Sequence, residues 1–119
     1  YQLADDQSNK NSAKIQIVKQ VLKYLRENYR VNFSAEDLAK NLGYTKFYVS
    51  RVFKDVTGKN ISAQVNEIRV ANARELLMTT DMSMSEIAVA CGFENSSYFG
   101  KVFKKITNMT PIEYRSRER

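Results

Sequence analysis

The chain has 119 residues, enough for one compact unit or two very small ones, and carries 19 Lys and Arg against 13 Asp and Glu, a net charge of +6. This balance favours an anionic partner, such as nucleic acid or an acidic membrane surface, although a merely soluble basic domain has the same composition. The lack of histidine removes the commonest general base, one cysteine excludes an internal disulfide and a cysteine-based zinc site, and no apolar run approaches the roughly 20 residues of a membrane span.

The chain opens with a polar segment and a helix. Residues 1–12 have no periodicity, which predicts a linker or tail. An apolar stripe then predicts a helix from Ala13 to about Asn28, with its buried face formed by Val18, Val21, Leu22 and Leu25.

A helix, a glycine turn and a second helix follow. Ser34 is the predicted cap of the first helix and Gly43 its end. Glu36 falls in the first turn, where the helix macrodipole accounts for a carboxylate. Thr45 is the predicted cap of the second helix, whose buried face is Val49, Val52, Phe53 and Val56 and whose outward face is Phe47, Ser50, Arg51 and Lys54.

A long helix is predicted from Ser62 to about Thr79, because this stretch contains neither glycine nor proline. Its 18 residues would span roughly 27 Å, which is of the order of one turn of B-DNA, about 34 Å. It could therefore hold two reading helices in successive major-groove segments. An ordinary packing helix is the alternative.

The arrangement of helix, glycine turn and helix then recurs. Ser83 and Glu86 form a predicted capping box, Gly92 ends that helix, and Asn95 or Ser96 caps the next. The next helix has a predicted buried face of Phe99, Val102, Phe103 and Ile106 and an outward face of Ser97, Gly100, Lys101 and Lys104. Thr110 and Glu113 form another predicted capping box, and Pro111 is the predicted first residue of a last helix.

The two halves match position for position, with one inserted residue, so the sequence contains an internal repeat of a helix-turn-helix. We therefore divide the chain into a tail (1–12), a first subdomain (13–61), a linker helix (62–79) and a second subdomain (80–119).

In a helix-turn-helix the second helix enters the major groove, and its N-terminal side chains reach base edges. The candidate readers of the first repeat are Thr45, Lys46, Phe47, Tyr48 and Ser50, with Arg51 and Lys54 as cations for guanine or phosphate. Those of the second are Asn95, Ser96, Ser97 and Tyr98, with Lys101 and Lys104 as cations.

Two of these positions leave alternatives open. Phe47 could touch a thymine methyl group, or its ring could fold back onto a neighbouring helix. Gly100 could allow close approach of the backbone to DNA, or could reflect tolerated drift. Among the remaining arginines, Arg69 is predicted to be a structural donor, and the terminal residues Arg115, Arg117 and Arg119 to be solvated.

The chain resembles the DNA-binding domain of the AraC/XylS family of bacterial transcription regulators, from about Ile15 to Arg115. The most specific similarity is I-A-x-x-x-G-F-x-N-x-S-Y-F-x-K-x-F-K at Ile87 to Lys104, followed by T-P-x-x-Y-R at Thr110 to Arg115. The R-x-x-x-A-x-x-L-L run from Arg69 to Leu77 adds to it.

The resemblance implies an all-α, homeodomain-like fold of seven helices, with two helix-turn-helix subdomains joined by a long helix. It implies sequence-specific binding of double-stranded promoter DNA, activation through RNA polymerase and a bacterial cytoplasmic location. The residue types themselves lead us to expect no cofactor. It places DNA contacts at Lys46, Phe47, Tyr48, Ser50 and Arg51, and at Asn95, Ser96, Ser97, Gly100 and Lys101.

Because the first residue is not methionine, we expect the chain to be a fragment of a longer protein. The resemblance implies that the missing upstream part is a sensory or dimerisation domain. The alternative function is a helical protein-interaction module whose basic face meets an acidic partner. A metal-dependent or hydrolytic enzyme is a more distant third possibility.

Overall fold

A computed structural model describes the backbone of residues 2–119 and the side chains of residues 11–119. The described chain forms seven helices and no strand, which confirms the predicted all-α fold. The helices are α1 (Gln2–Asn28), α2 (Ala35–Leu42), α3 (Lys46–Thr57), α4 (Ile61–Thr79), α5 (Met84–Ala90), α6 (Ser96–Thr107) and α7 (Pro111–Glu118). None of the described helices is both long and apolar enough to span a membrane.

The helix α1 begins far earlier than predicted. It starts at Gln2 rather than at Ala13, so the expectation that residues 1–12 lack regular structure is wrong for residues 2–12. A polar stretch without an apolar stripe has no face to bury, but residues 2–28 also contain no glycine or proline to stop a helix. Whether these residues act as a linker stays a prediction.

The chain divides into two compact units. The N-terminal unit contains α1 up to Glu27 and the segment Phe33–Gln64, and the C-terminal unit contains Asn28–Asn32 and Val65–Arg119. The helix α4, predicted as the connector, contributes residues 61–64 to the first unit and 65–79 to the second.

Each unit buries the apolar residues that helical periodicity selects. In the N-terminal unit the fully buried side chains include Val21, Leu25, Leu38, Val49 and Phe53. In the C-terminal unit one buried cluster consists of Val70, Ala73, Leu77, Ile87, Ala88, Cys91, Phe93, Phe99, Val102 and Phe103. This confirms Cys91 as a core residue.

Two residues of the predicted buried faces are exposed. Val56 is 45% exposed and Ile106 is 37% exposed, so their assignment to the core is wrong. They occupy equivalent positions of the repeat, each in the last turn of its helix, where the stripe has passed the end of the core. Periodicity gives the direction of a side chain but not the extent of the element that covers it.

The predicted helix caps are confirmed. Capping boxes form at Ser34, Ser83 and Thr110, and Thr45 caps α3. Asn95, rather than Ser96, caps α6 by accepting a hydrogen bond at Oδ1 from the Tyr98 N–H, at 2.8 Å.

The prediction that the terminal arginines are solvated is wrong for Arg115, whereas Arg117 and Arg119 are exposed. Arg115 is half-buried and donates to the carbonyls of Leu77 and Thr80, at 3.2 and 3.1 Å. Arg119 also donates to the Thr80 carbonyl, at 3.0 Å, and forms an ion pair with Asp81. The last carbonyls of a helix have no intrahelical donor, which accounts for these contacts.

The capping boxes of α5 and α7 predict a loss of stability in acid. The N–H groups of Ser83 and Thr110 donate to Glu86 and Glu113, each at 2.9 Å, and lower the pKa of both carboxyl groups below the ordinary value of 4.5. A depressed folded-state pKa gives stability that is present above the unfolded value and is lost as pH falls through the folded value.

We therefore expect the melting temperature of the Glu86→Gln/Glu113→Gln variant to depend less on pH than that of the wild type. The measurement is a thermal melt at a series of values between about pH 6 and about pH 3. Parallel curves for the two proteins would contradict a role of these carboxylates.

Candidate nucleic-acid interface

The helix α3 presents the predicted polar and cationic face to solvent. Its other side is buried at Val49, Val52 and Phe53. We define the α3 face as the exposed residues Thr45, Phe47, Ser50, Arg51 and Lys54.

Phe47 is the most exposed large apolar side chain of the described residues, at 77%. The alternative in which its ring folds back onto a neighbouring helix is therefore wrong. The Lys46 ammonium lies 5.2 Å from the ring centre. An aromatic ring on a polar face, without a covering element, is suited to an apolar contact with a ligand.

Two other predicted readers of α3 are already engaged within the N-terminal unit. The Lys46 ammonium donates to the Glu36 carboxylate of α2 at 2.7 Å. Tyr48 is half-buried, and its ring centre lies 5.3 Å from that of Tyr44. Lys46 and Tyr48 are therefore less available to a ligand than the side chains of the α3 face.

The helix α6 presents the equivalent face in the C-terminal unit. Its other side is buried at Phe99, Val102 and Phe103. We define the α6 face as Asn95, Ser96, Ser97, Gly100, Lys101 and Lys104; Gly100 is partly exposed and the others are exposed. Tyr98 is 43% exposed, but its hydroxyl accepts a hydrogen bond from the Asn66 amide at 3.4 Å, so it is partly committed to α4.

Packing within the protein does not require the glycine at position 100. A Cβ atom added there would have no described heavy atom within 4 Å, apart from the backbone of its own helix and its chain neighbours. The open space therefore lies on the outward side of α6, where a ligand backbone or side chain could approach.

The cations of the two faces are available to an anion. Arg51, Lys54, Lys101 and Lys104 form no ion pair within the described part of the chain. They occupy equivalent places in the two repeats, because Arg51 corresponds to Lys101 and Lys54 to Lys104. Lysine and arginine on an exposed helix face are the side chains that meet phosphate oxygens in protein–DNA complexes.

The structure also shows two residues that the sequence predictions missed at this surface. Tyr44, which follows the glycine turn, is 44% exposed beside Tyr48. Glu36, which the macrodipole seemed to explain, instead pairs with Lys46. Tyr44 lies between the turn residue Gly43 and the cap Thr45, and its position in the sequence could have indicated it. No local sequence pattern indicated the pairing of Glu36.

Among residues 11–119 no cluster of three acidic, cysteine or histidine side chains could hold a metal ion. The surface does offer hydrogen-bonding groups, cations and exposed aromatic rings, of which Phe47 is the most exposed.

Comparison with known proteins identifies the family. A family model described as a helix-turn-helix domain matches residues 38–117. A solved structure from Chromobacterium violaceum, a transcriptional regulator with an AraC-type DNA-binding domain, is 27% identical, with a TM-score of 0.80 over 89% of this chain and 95% of that one. This chain belongs to the AraC-type helix-turn-helix family.

Two further relatives extend the comparison. The uncharacterized HTH-type transcriptional regulator YisR of Bacillus subtilis is 38% identical over 104 residues, which are 87% of this chain and 36% of that protein. The DNA-binding domain of AdpA, solved in complex with a target DNA, is 27% identical, with a TM-score of 0.80 over 86% of this chain and 92% of that one. The chain thus spans about a third of the length of YisR.

The comparisons confirm the resemblance that the sequence motifs indicated, and the seven-helix fold. The family is one of DNA-binding transcription regulators. The individual contact residues stay predictions.

Proposed function

We propose that this AraC-type domain binds double-stranded promoter DNA sequence-specifically, with α3 and α6 entering successive segments of the major groove. The observation that carries the proposal is the duplication of one surface: each of the two helices buries an apolar face and exposes a polar face with cations at equivalent positions. The target DNA bound by the related AdpA domain supports DNA, rather than an acidic protein, as the partner.

The two faces are suited to different kinds of DNA contact. On the α3 face, Phe47 offers an apolar contact for a thymine methyl group and Arg51 a planar donor pair for guanine. The α6 face has short side chains at Ser96 and Ser97 and none at Gly100, so we propose that it depends more on phosphate contacts. Lys101 and Lys104 would make these contacts.

The decisive experiment is the selection of bound duplexes from a random pool. We expect an enriched motif with two parts separated by about one helical turn. A pool that yields no motif would reject sequence-specific recognition. A motif with one part would reject the proposal that both helices read bases.

Arg51→Ala is expected to weaken binding to the selected duplex by about 1–3 kcal/mol and to relax the preference at one base pair. The reason is that a guanidinium bound to guanine discriminates among bases. Fluorescence anisotropy on the selected duplex and on a random duplex measures both effects.

Lys54→Ala is the matched control for Arg51→Ala, because it removes one cation from the same exposed face. We expect it to weaken binding to both duplexes similarly and to reduce the salt slope by about 1, as for a phosphate contact. The same pattern for Arg51→Ala would assign Arg51 to phosphate and not to guanine.

We propose that the whole protein is a bacterial cytoplasmic transcription activator that contacts RNA polymerase. We also propose that it has a further sensory or dimerisation domain upstream of this one. The support is the family together with the greater length of YisR. We propose that the domain has no catalytic role. Transcription from a promoter with the selected site, reconstituted with the full-length protein, should rise with its concentration; an unchanged or lower yield would reject activation.

A further inference from the structure

The ion pair between Glu36 and Lys46 places an acidic side chain beside the reading helix. The distance from the Lys46 Nζ to the Glu36 Oε1 is 2.7 Å. Lys46 is the first residue of α3, and Glu36 lies in the first turn of α2. The hydrogen bond from Lys46 is the main reason that the pKa of Glu36 lies below its ordinary value.

The C-terminal unit has no such pair. The N-cap residues align the repeats, since Ser34 corresponds to Ser83 and Thr45 to Asn95. Glu36 therefore corresponds to Ser85, and Lys46 corresponds to Ser96. The pair belongs only to the unit whose helix carries the longer candidate base readers.

Position decides what the pair can do. A lysine at the start of a recognition helix lies where DNA approaches, and an unpaired ammonium there would bind any nearby phosphate irrespective of sequence. Glu36 neutralises that charge and occupies one of its three N–H donors. The remaining donors stay beside the exposed Phe47 ring, 5.2 Å away.

We propose that Glu36 is a positioning residue that raises sequence specificity by restraining Lys46. Binding to random DNA depends on contacts between cations and phosphates, and there Glu36 keeps the Lys46 ammonium from binding a phosphate. On the cognate site, where base contacts fix α3 in the groove, it holds Lys46 near the base edges. This inference rests on the proposed DNA-binding function.

The test compares Glu36→Gln with the wild type on the selected duplex and on a random duplex of equal length, by fluorescence anisotropy between about 50 and 200 mM salt. We expect tighter binding of Glu36→Gln to random DNA and a salt slope steeper by about 0.9. One additional phosphate contact corresponds to a further loss of affinity of about 3.5-fold between 50 and 200 mM salt. Affinity for the selected duplex should be unchanged or lower.

Two further variants separate this role from a general effect of charge. Glu75→Gln changes the net charge equally, at an exposed residue of α4 without an ion pair in the described structure, and should not alter the ratio of the two affinities. In a Lys46→Met background, Glu36→Gln should have no effect on binding to random DNA.

Three outcomes would overturn the inference. They are an equal gain on both duplexes, an effect that persists without Lys46, and a matching effect of Glu75→Gln. If the wild type yields a selected duplex and binds it, such an outcome rejects only the role of Glu36. If the wild type binds no duplex, the proposed function fails and this inference fails with it.

Discussion

Replacing Gly92 with alanine is expected to lower the free energy of unfolding by about 3 kcal/mol or more, or to prevent folding of the C-terminal unit. Gly92 has φ +92°, and a Cβ atom there would lie 2.0 Å from the Tyr29 carbonyl oxygen and 3.0 Å from the Arg69 Nε. The oxygen belongs to the backbone and accepts a hydrogen bond from Arg69 at 2.8 Å, so it cannot move away without breaking that bond. Chemical denaturation followed by circular dichroism measures the loss.

Gly43→Ala is the matched control, because Gly43 occupies the same position of the first repeat. Its φ of +84° imposes the same backbone strain, but a Cβ atom there would meet no heavy atom within 4 Å. We expect a loss of only about 1–2 kcal/mol, the cost of the left-handed conformation alone. Equal losses for the two variants would show that Tyr29 does not limit position 92.

Features that depend on neighbours within a few residues could be predicted from the sequence. The capping boxes at Ser34, Ser83 and Thr110 each join a side chain and a backbone group three residues apart. The positive φ of Asn108 likewise follows from its place at the end of α6. Such local hydrogen bonds do not require knowledge of the tertiary structure.

Burial at the ends of helices could not be predicted in this way. Val56 and Ile106 continue the apolar stripes of α3 and α6, yet both are exposed. Whether a side chain in a last turn is covered depends on an element distant in sequence, which the stripe does not specify.

The same distinction between local and distant neighbours applies to the candidate interface. The exposed face of α3 followed from helical periodicity, including the direction of Phe47 and Arg51. The ion pair of Lys46 could not be predicted from periodicity, because its partner Glu36 lies ten residues away on another helix. The hydrogen bonds of Arg115 escaped prediction for the same reason, since its acceptors are 35 and 38 residues distant.

Arg69→Met is expected to lower the free energy of unfolding by about 2–3 kcal/mol. The Arg69 Nε donates to the Tyr29 carbonyl at 2.8 Å, and its second terminal nitrogen lies 3.4 Å from the Val31 carbonyl, which confirms the predicted structural role. The guanidinium also lies over the Phe93 ring, at 5.9 Å. Methionine fills much of the same volume but leaves both carbonyls without their donor, and the Tyr29 oxygen faces Gly92, where water has little room.

Arg74→Met separates these hydrogen bonds from the other properties of an arginine on α4. Arg74 also lies 5.9 Å from an aromatic ring, that of Tyr114, but it is exposed and donates to no carbonyl in the described structure. Its replacement should cost no more than about 1 kcal/mol, the value of an exposed cation–π contact. A loss for Arg69→Met as small as that for Arg74→Met would mean that the two carbonyls find other donors. A loss as large as that expected for Gly92→Ala would instead mean that the segment Asn28–Asn32 depends on Arg69 for its place in the C-terminal unit.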